Sequence, residues 1–210
     1  ETMKCDMAGA AVVIGLFHAL SKLDIPLEVH GIAPVCENML SATAIRPGDI
    51  LKSMSGKTIE VLNTDAEGRL TLADAITYAK EYAKPDMIID LATLTGACIS
   101  ALGEDIAGVM GNNEELTNAV LAAGKASGEM LWQLPLPPEY KPMLKSSIAD
   151  YTNITPSKRG AGASTAGLFL QEFVGTTPWV HMDIAGPAFA ESNTVSYMPR
   201  GGTGFGVRTL

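Results

Sequence analysis

The run Met87-Ile88-Ile89-Asp90-Leu91 is nearly continuous in apolar residues and follows a stretch of helical periodicity that Pro85 ends. A strand with water on one face alternates apolar and polar side chains. An unbroken run instead describes a strand covered on both faces, the habit of parallel sheets with helices above and below. Short apolar runs and helical stretches alternate along most of the chain. Met7, Ala10, Ala11, Ile14 and Phe17 recur at helical spacing and predict a helix over 7–22 with that stripe buried. Its small start, Ala8-Gly9-Ala10-Ala11, predicts another backbone passing close by. Residues 27–35 read as a buried strand, and 50–53 and 58–62, flanking Ser55-Gly56, as a hairpin. Further helices are expected over 67–83, stopped by Pro85, and over 114–127 and 163–173; further strands over 106–110 and 179–184. The proline-rich stretch 134–156 reads as a long irregular excursion. The order predicts an α/β fold, a three-layer α/β/α arrangement with a mixed, mainly parallel central sheet.

A chain of 210 residues with 47% hydrophobic and 18% charged residues can bury a substantial core, and one large domain is expected. Fifteen basic residues against 23 acidic ones give a net charge of −8, which repels phosphate backbones. Lys158-Arg159 is the one local basic pair, so nucleic acid is not an expected partner. Cys5, Cys36 and Cys98 are odd in number and far apart, which suits a reducing compartment; cytoplasmic location is expected. No apolar run reaches the roughly 20 residues of a membrane-spanning helix, and no membrane partner is expected.

The acidic residues of interest fall at the ends of expected elements. Asp65 and Glu67 sit two apart where the strand over 58–62 gives way to a helix, with Arg69 close behind. Oxygen ligands at such a junction suit a divalent cation, and the guanidinium supplies a fixed positive charge. The same residues also read as a capping box, Thr64-x-x-Glu67. Asp6 precedes the first helix, where a plain N-cap is the ordinary role, and Asp90 is expected to close a strand. Ends from distant parts of the chain can converge at one sheet edge, where open α/β sheets place their chemistry.

The octapeptide Asn63-Thr64-Asp65-Ala66-Glu67-Gly68-Arg69-Leu70 resembles, at every position, the signature of the leucyl aminopeptidase family of two-metal cytosolic exopeptidases. Met3-Lys4-Cys5-Asp6-Met7-Ala8-Gly9-Ala10-Ala11, Asp90-Leu91-Ala92-Thr93-Leu94-Thr95-Gly96-Ala97, His181-Met182-Asp183-Ile184-Ala185-Gly186-Pro187 and Gly201-Gly202-Thr203-Gly204-Phe205-Gly206 are similar to further family segments. The resemblance implies an exopeptidase that releases N-terminal amino acids, preferentially leucine, by a two-metal hydroxide mechanism. It makes Glu67 a bridge between two divalent metals, with Asp65 on one and Asp6 on the other. Zinc is the usual metal, with manganese or magnesium accepted. It gives Arg69 the catalytic part of holding bicarbonate as general base, in place of a surface ion pair with Glu67 or Asp65. Met3, Thr93, Leu94, Gly96 and Ala185 match substrate-binding positions, with core packing as the competing role, and Ala188 matches a pocket position that is larger in some relatives. Peptides with a free N-terminus are the implied substrates, and a homo-hexamer of paired trimers the implied assembly.

Family members also carry, upstream of the segment matching Met3 to Ala11, a stretch supplying a metal-binding Lys, a bridging Asp and a catalytic Lys, and before it an N-terminal domain. This sequence begins at Glu1 with neither. The resemblance therefore implies that 1–210 is part of a metallo-aminopeptidase catalytic domain, inactive alone and holding one weak cation site at most. A non-catalytic assembly or binding module is the rival function.

Other signals carry less. Ser55-Gly56-Lys57-Thr58 lacks the first glycine of a phosphate loop and precedes a strand. Gly202-Thr203-Gly204-Phe205-Gly206 reads as a tight loop. Gly160 to Thr165 opens a helix whose start could bind an anion; the resemblance makes it a structural loop bordering the site. His18, His30 and His181 read as boundary or core residues. Ser164, His181 and Asp183 have the residue types of a serine hydrolase without the strand that precedes a nucleophile elbow.

Overall fold

A computed structural model describes residues 1–155, 160–192, 197–198 and 200–210, so the Lys158-Arg159 pair and Pro156 fall outside the described residues. A 3₁₀ turn, Met3–Met7, leads into helix α1, Ala8–Leu20. The expected hairpin forms from β1, Ile50–Lys52, and β2, Thr58–Glu60, antiparallel with Leu51 opposite Ile59. Helix α2, Gly68–Tyr78, continues into a π-helical turn, Ala79–Ala83, and stops where Lys84 adopts a left-handed conformation (φ 50°) ahead of Pro85. Then come β3 (Ile88–Ala92), α3 (Gly96–Leu102), β4 (Ala107–Gly111), α4 (Glu114–Ser127) and β5 (Leu131–Gln133). The Asn113 side chain caps α4 by accepting from the Leu116 amide, and left-handed Gly128 closes it. The proline-rich excursion holds a 3₁₀ helix, Pro138–Leu144, and β6, Tyr151–Thr152. Helix α5 (Gly162–Val174), β7 (Trp179–Asp183), β8 (Phe189–Ala190) and β9 (Gly201–Gly202) complete the order.

The central sheet runs β3-β7-β4-β5. β3 pairs β7 and β4 pairs β5 in parallel, while β4 and β7 are antiparallel, so the sheet is mixed with parallel pairings in the majority. Successive side chains on β7 point to opposite faces. Trp179 joins Leu72, Ile76, Leu168, Phe169 and Phe173 on the α2 and α5 side. Val180 and Met182 join Val12, Val109 and Val120 on the α1 and α4 side. Two apolar clusters on opposite faces of one sheet make the three layers. Because β3 and β7 are parallel, with Ala92 opposite Asp183, both strands deliver their following loops to the same edge.

Three expectations are corrected. The buried face of α1 carries Gly9 and Val12, while Met7, Ala11, Ile14 and Phe17 are exposed. The helix is apolar nearly all round, so periodicity marked a helix without marking which side meets the sheet. The side that does is the smallest: a Cβ on Gly9 would overlap the Leu91 carbonyl, so the predicted backbone approach is real. Met3–Leu20 together form an 18-residue helical run of mean hydropathy 1.4, long and apolar enough by length and composition to cross a membrane, which the sequence reading had not found. Residues 27–35 form no strand, and Leu27 and Val35 are 72% and 81% exposed. Apolar content fits a pleated surface but supplies no ladder partner; β3 is an outer strand of the central sheet and, among the described residues, pairs with β7 alone. Asp90 lies mid-strand in β3 and does not close it.

Candidate functional site

The octapeptide forms the turn between β2 and α2. The Asn63 side chain accepts from the Asp65 amide at 3.0 Å, which turns the chain locally. No capping box forms: Glu67 itself is the N-cap residue, with no side-chain cap, and its carbonyl accepts from the Leu70 and Thr71 amides. The Glu67 carboxylate is held by its own backbone amide instead, on the side that Asp6 reaches. The turn is held from outside by Asn153, a residue that sequence reasoning missed. Fully buried, Asn153 accepts at Oδ1 from the Leu62 amide (2.8 Å) and donates from Nδ2 to the carbonyls of Asn63 (2.6 Å) and Ala66 (3.2 Å). Its own carbonyl accepts from Arg69 Nη1 at 2.7 Å. An asparagine after a two-residue strand carries no local pattern, so only tertiary contact reveals it.

Asp6 lies on the 3₁₀ turn before α1 and reaches the loop after β3, where Thr93 Oγ1 donates to its Oδ1 at 2.8 Å. Asp6 and Asp65 also bear on Glu67. Burial pushes the Glu67 carboxyl above its ordinary value; its own backbone amide opposes this, and the charge and hydrogen bonding of Asp6 and then the charge of Asp65 add to the rise. The three acids are thus one electrostatic neighbourhood. Crowded like charges favour a proton or a cation between them, and an all-carboxylate donor set suits a hard divalent ion. The donor chemistry fits, but the set is not closed. Among the described residues no three His, Cys, Asp or Glu side chains stand ready to hold one ion.

Arg69 is only 6% exposed. Desolvation lowers its pKa to about 10, opposed by the charges of Asp183 and Glu67, so it remains a cation at neutral pH. Its Nε has no hydrogen-bond partner. The surface ion pair with Asp65 or Glu67 does not form; the partner is the Asn153 carbonyl.

Of the expected substrate positions, Thr93 and Leu94 follow β3 and are half-buried, Gly96 begins α3 and is exposed, and Ala185 follows β7, half-buried. All four are at the edge reached by Asp6. Helix α3, absent from the sequence reading, starts here because Thr95 caps it, its hydroxyl accepting from the Cys98 amide at 3.0 Å. Met3 is 71% exposed on the turn that carries Asp6. Ala188 is buried and lines an apolar cleft of about 320 Å³ with Cys5, Ala8, Val12 and Phe205. Thr93, Leu94, Gly96 and Ala185 do not line that cleft, so its size does not locate the substrate.

Asp90 is absent from this edge. It accepts from Trp179 Nε1 at 2.6 Å and pairs with His181 Nδ1 at 2.5 Å inside the sheet. The serine-hydrolase arrangement does not form: His181 Nε2 has no hydrogen-bond partner and so does not reach Ser164, and Asp183 accepts from loop amides instead of from His181.

The fold is a three-layer α/β/α arrangement around a mixed sheet, with Asp6 beside the loop after β3 and in electrostatic contact with Glu67, and with Arg69 buried behind them. The whole chain, residues 1–210, matches the catalytic domain of the cytosol aminopeptidase family, and it belongs to that family. It is 56% identical over its full length to a probable cytosol aminopeptidase of Gloeobacter violaceus, covering 41% of that protein. A probable cytosol aminopeptidase of Roseiflexus castenholzii is 53% identical and covered to 42%. Among solved structures, a mutant of tomato leucine aminopeptidase superposes with a TM-score of 0.92 at 48% identity, over 99% of this chain and 40% of that one. The chain therefore spans about two fifths of the length of the relatives it matches.

Proposed function

We propose that this chain supplies part of the active site of a metal-dependent aminopeptidase that releases N-terminal residues, preferentially leucine, from peptides. The observation that carries the reading is that Asp6, on the turn before α1, lies beside Glu67 of the distant octapeptide; burial first, then the charge and hydrogen bond of Asp6 and the charge of Asp65, raise the Glu67 carboxyl. These carboxylates would hold two divalent cations, zinc or manganese with magnesium tolerated, and ligands beyond this set complete the shell. When bound, such ions polarise a carbonyl, lower the pKa of water and take a free amino group. Arg69, protonated at neutral pH with a pKa of about 10, cannot accept a proton itself. Its planar fork holds a flat oxyanion, bicarbonate, as the base. Thr93, Leu94, Gly96 and Ala185, with Met3 beside Asp6, orient the first residue of the peptide. Cytoplasmic location and a homo-hexamer belong to the same proposal.

The test is release of leucine from an amino-terminal leucyl substrate by the intact protein, with and without a chelator. Chelator-sensitive release supports the reading, and activity that survives chelation contradicts it. The rival, a module that keeps the fold without chemistry, is favoured by the open ligand set among the described residues. Calorimetric titration of the intact protein with zinc separates the two, since tight uptake of paired ions per chain excludes the rival.

A further inference from the structure

The candidate pocket residues lie on two separate connections, Thr93, Leu94 and Gly96 after β3 and Ala185 after β7. One buried carboxylate holds both. Asp183, the last residue of β7, has no exposed surface. Its Oδ1 accepts from the amides of Leu94 (3.1 Å), Thr95 (3.4 Å) and Ala185 (3.2 Å), and its Oδ2 from Thr95 Oγ1 (2.7 Å). Hydrogen bonds to a carboxylate are shorter and stronger than neutral ones, and these converge from both loops on a single group. Across the strand pair, the Ile184 amide donates to the Ala92 carbonyl at 2.9 Å, so the loops diverge just beyond a fixed ladder. The β3 loop is then tied at two places, through Thr95 to Asp183 and through Thr93 to Asp6.

We propose that Asp183 is a positioning residue that sets the width of the side-chain pocket, and so the preference among N-terminal residues, by fixing the Thr93–Gly96 loop against Ala185. The inference rests on the aminopeptidase reading above. Asp183 touches no pocket space itself; it acts through Leu94, Thr95 and Ala185. A packing role alone predicts something different. Loss of folded protein lowers turnover of every substrate in proportion and leaves KM unchanged. A loosened pocket instead changes discrimination between side chains that differ by a few methyl groups, which pocket fit alone decides.

The experiment measures kcat and KM of the metal-loaded intact protein on amino-terminal leucyl and alanyl substrates, for the wild type and for Asp183→Asn, Thr95→Val and Thr95→Ser. Asp183→Asn keeps the shape and loses the charge, Thr95→Val removes the hydroxyl link, and Thr95→Ser retains it. We expect the leucyl-over-alanyl ratio of kcat/KM to fall about fivefold or more in Asp183→Asn and Thr95→Val, carried mainly by a higher leucyl KM. Thr95→Ser should keep the wild-type ratio within about twofold. If Asp183→Asn does not fold, Thr95→Val decides. Unchanged ratios, or equal falls in kcat for both substrates at constant KM, overturn the proposal while leaving the aminopeptidase reading intact. A wild type that releases neither residue overturns both.

Discussion

Replacing Gly9 by alanine ought to strengthen α1, since alanine is the better helix former by ~1 kcal/mol. The structure predicts the reverse. An added Cβ would lie 3.0 Å from the Leu91 carbonyl carbon and 3.4 Å from Ala92 Cα, and would overlap the Leu91 oxygen outright. Non-bonded heavy atoms rest at about 3.5–4.0 Å, so relieving the overlap with the Leu91 oxygen makes α1 retreat from β3 by about 1 Å or more. Both neighbours are backbone within a strand paired to β7 and cannot swing aside. Overpacking of this kind costs about 1–3 kcal/mol, the upper end applying where backbone meets backbone, and after the helix gain a net loss of up to about 2 kcal/mol remains. Urea unfolding of the intact protein should show a lower midpoint with an unchanged slope. The retreat also carries Asp6, three residues upstream, away from Thr93 and Glu67, so cation affinity should fall with stability. Gly15→Ala is the control: its Cβ meets only the Val207 side chain, at 3.0 and 3.6 Å, which can rotate. That variant should be neutral or slightly more stable. If Gly9→Ala is as stable as Gly15→Ala, α1 does not seat on β3 as described, and the placement of Asp6 loses its support.

Asn153→Ala strands the Leu62 amide and the Asn63 and Ala66 carbonyls, and should cost about 2–3 kcal/mol in denaturant and weaken calorimetric cation binding about tenfold or more. Asp90→Ala leaves His181 and Trp179 without their partner, an expected loss of about 3–5 kcal/mol. Burial works to lower the His181 pKa, but the charge and hydrogen bond of Asp90, with Asp183, hold it above the ordinary 6.5. Its stabilisation is therefore complete below 6.5 and lost as pH rises through the raised folded value. A stability profile that keeps this alkaline loss in Asp90→Asn would refute the assignment. The raised Glu67 carboxyl binds a proton in the folded state at a pH where the unfolded chain does not, so cation-free protein should gain stability as pH falls through that raised value towards 4.5. Saturating manganese should flatten that arm of the profile, and an arm unaffected by the ion would speak against cation binding there.

Much of the layer architecture was legible from periodicity. The helix over 114–127 coincides with α4, and the run over 87–91 differs from β3 by a single residue at each end. These elements are long, or apolar on both faces, and their local signals agree with the tertiary demand. Failures fall where the deciding partner is distant. Residues 27–35 have strand composition and no ladder. The stripe Met7 to Phe17 was apolar but turned outward, because the closest contact with β3 needed the residue with no side chain. Helix α3 is short and opens with small residues, so no stripe announced it. At the site, the octapeptide placed Asp65, Glu67 and Arg69 correctly at the strand-to-helix turn, while Asn153 and Asp183, which hold its two sides, had no motif. Asp90 looked like a site acid by its position after an apolar run, and its neighbours across the sheet, Trp179 and His181, decided otherwise.

Under the proposal, Asp6, Asp65 and Glu67 together hold paired cations. Anomalous scattering from crystals of the intact protein grown with manganese locates such ions atom by atom. Two peaks about 3.5–4 Å apart are expected, both in contact with carboxylate oxygens of this trio and with Glu67 touching each. Peaks elsewhere with none at these side chains, or a single ion that Asp6 does not reach, would contradict it.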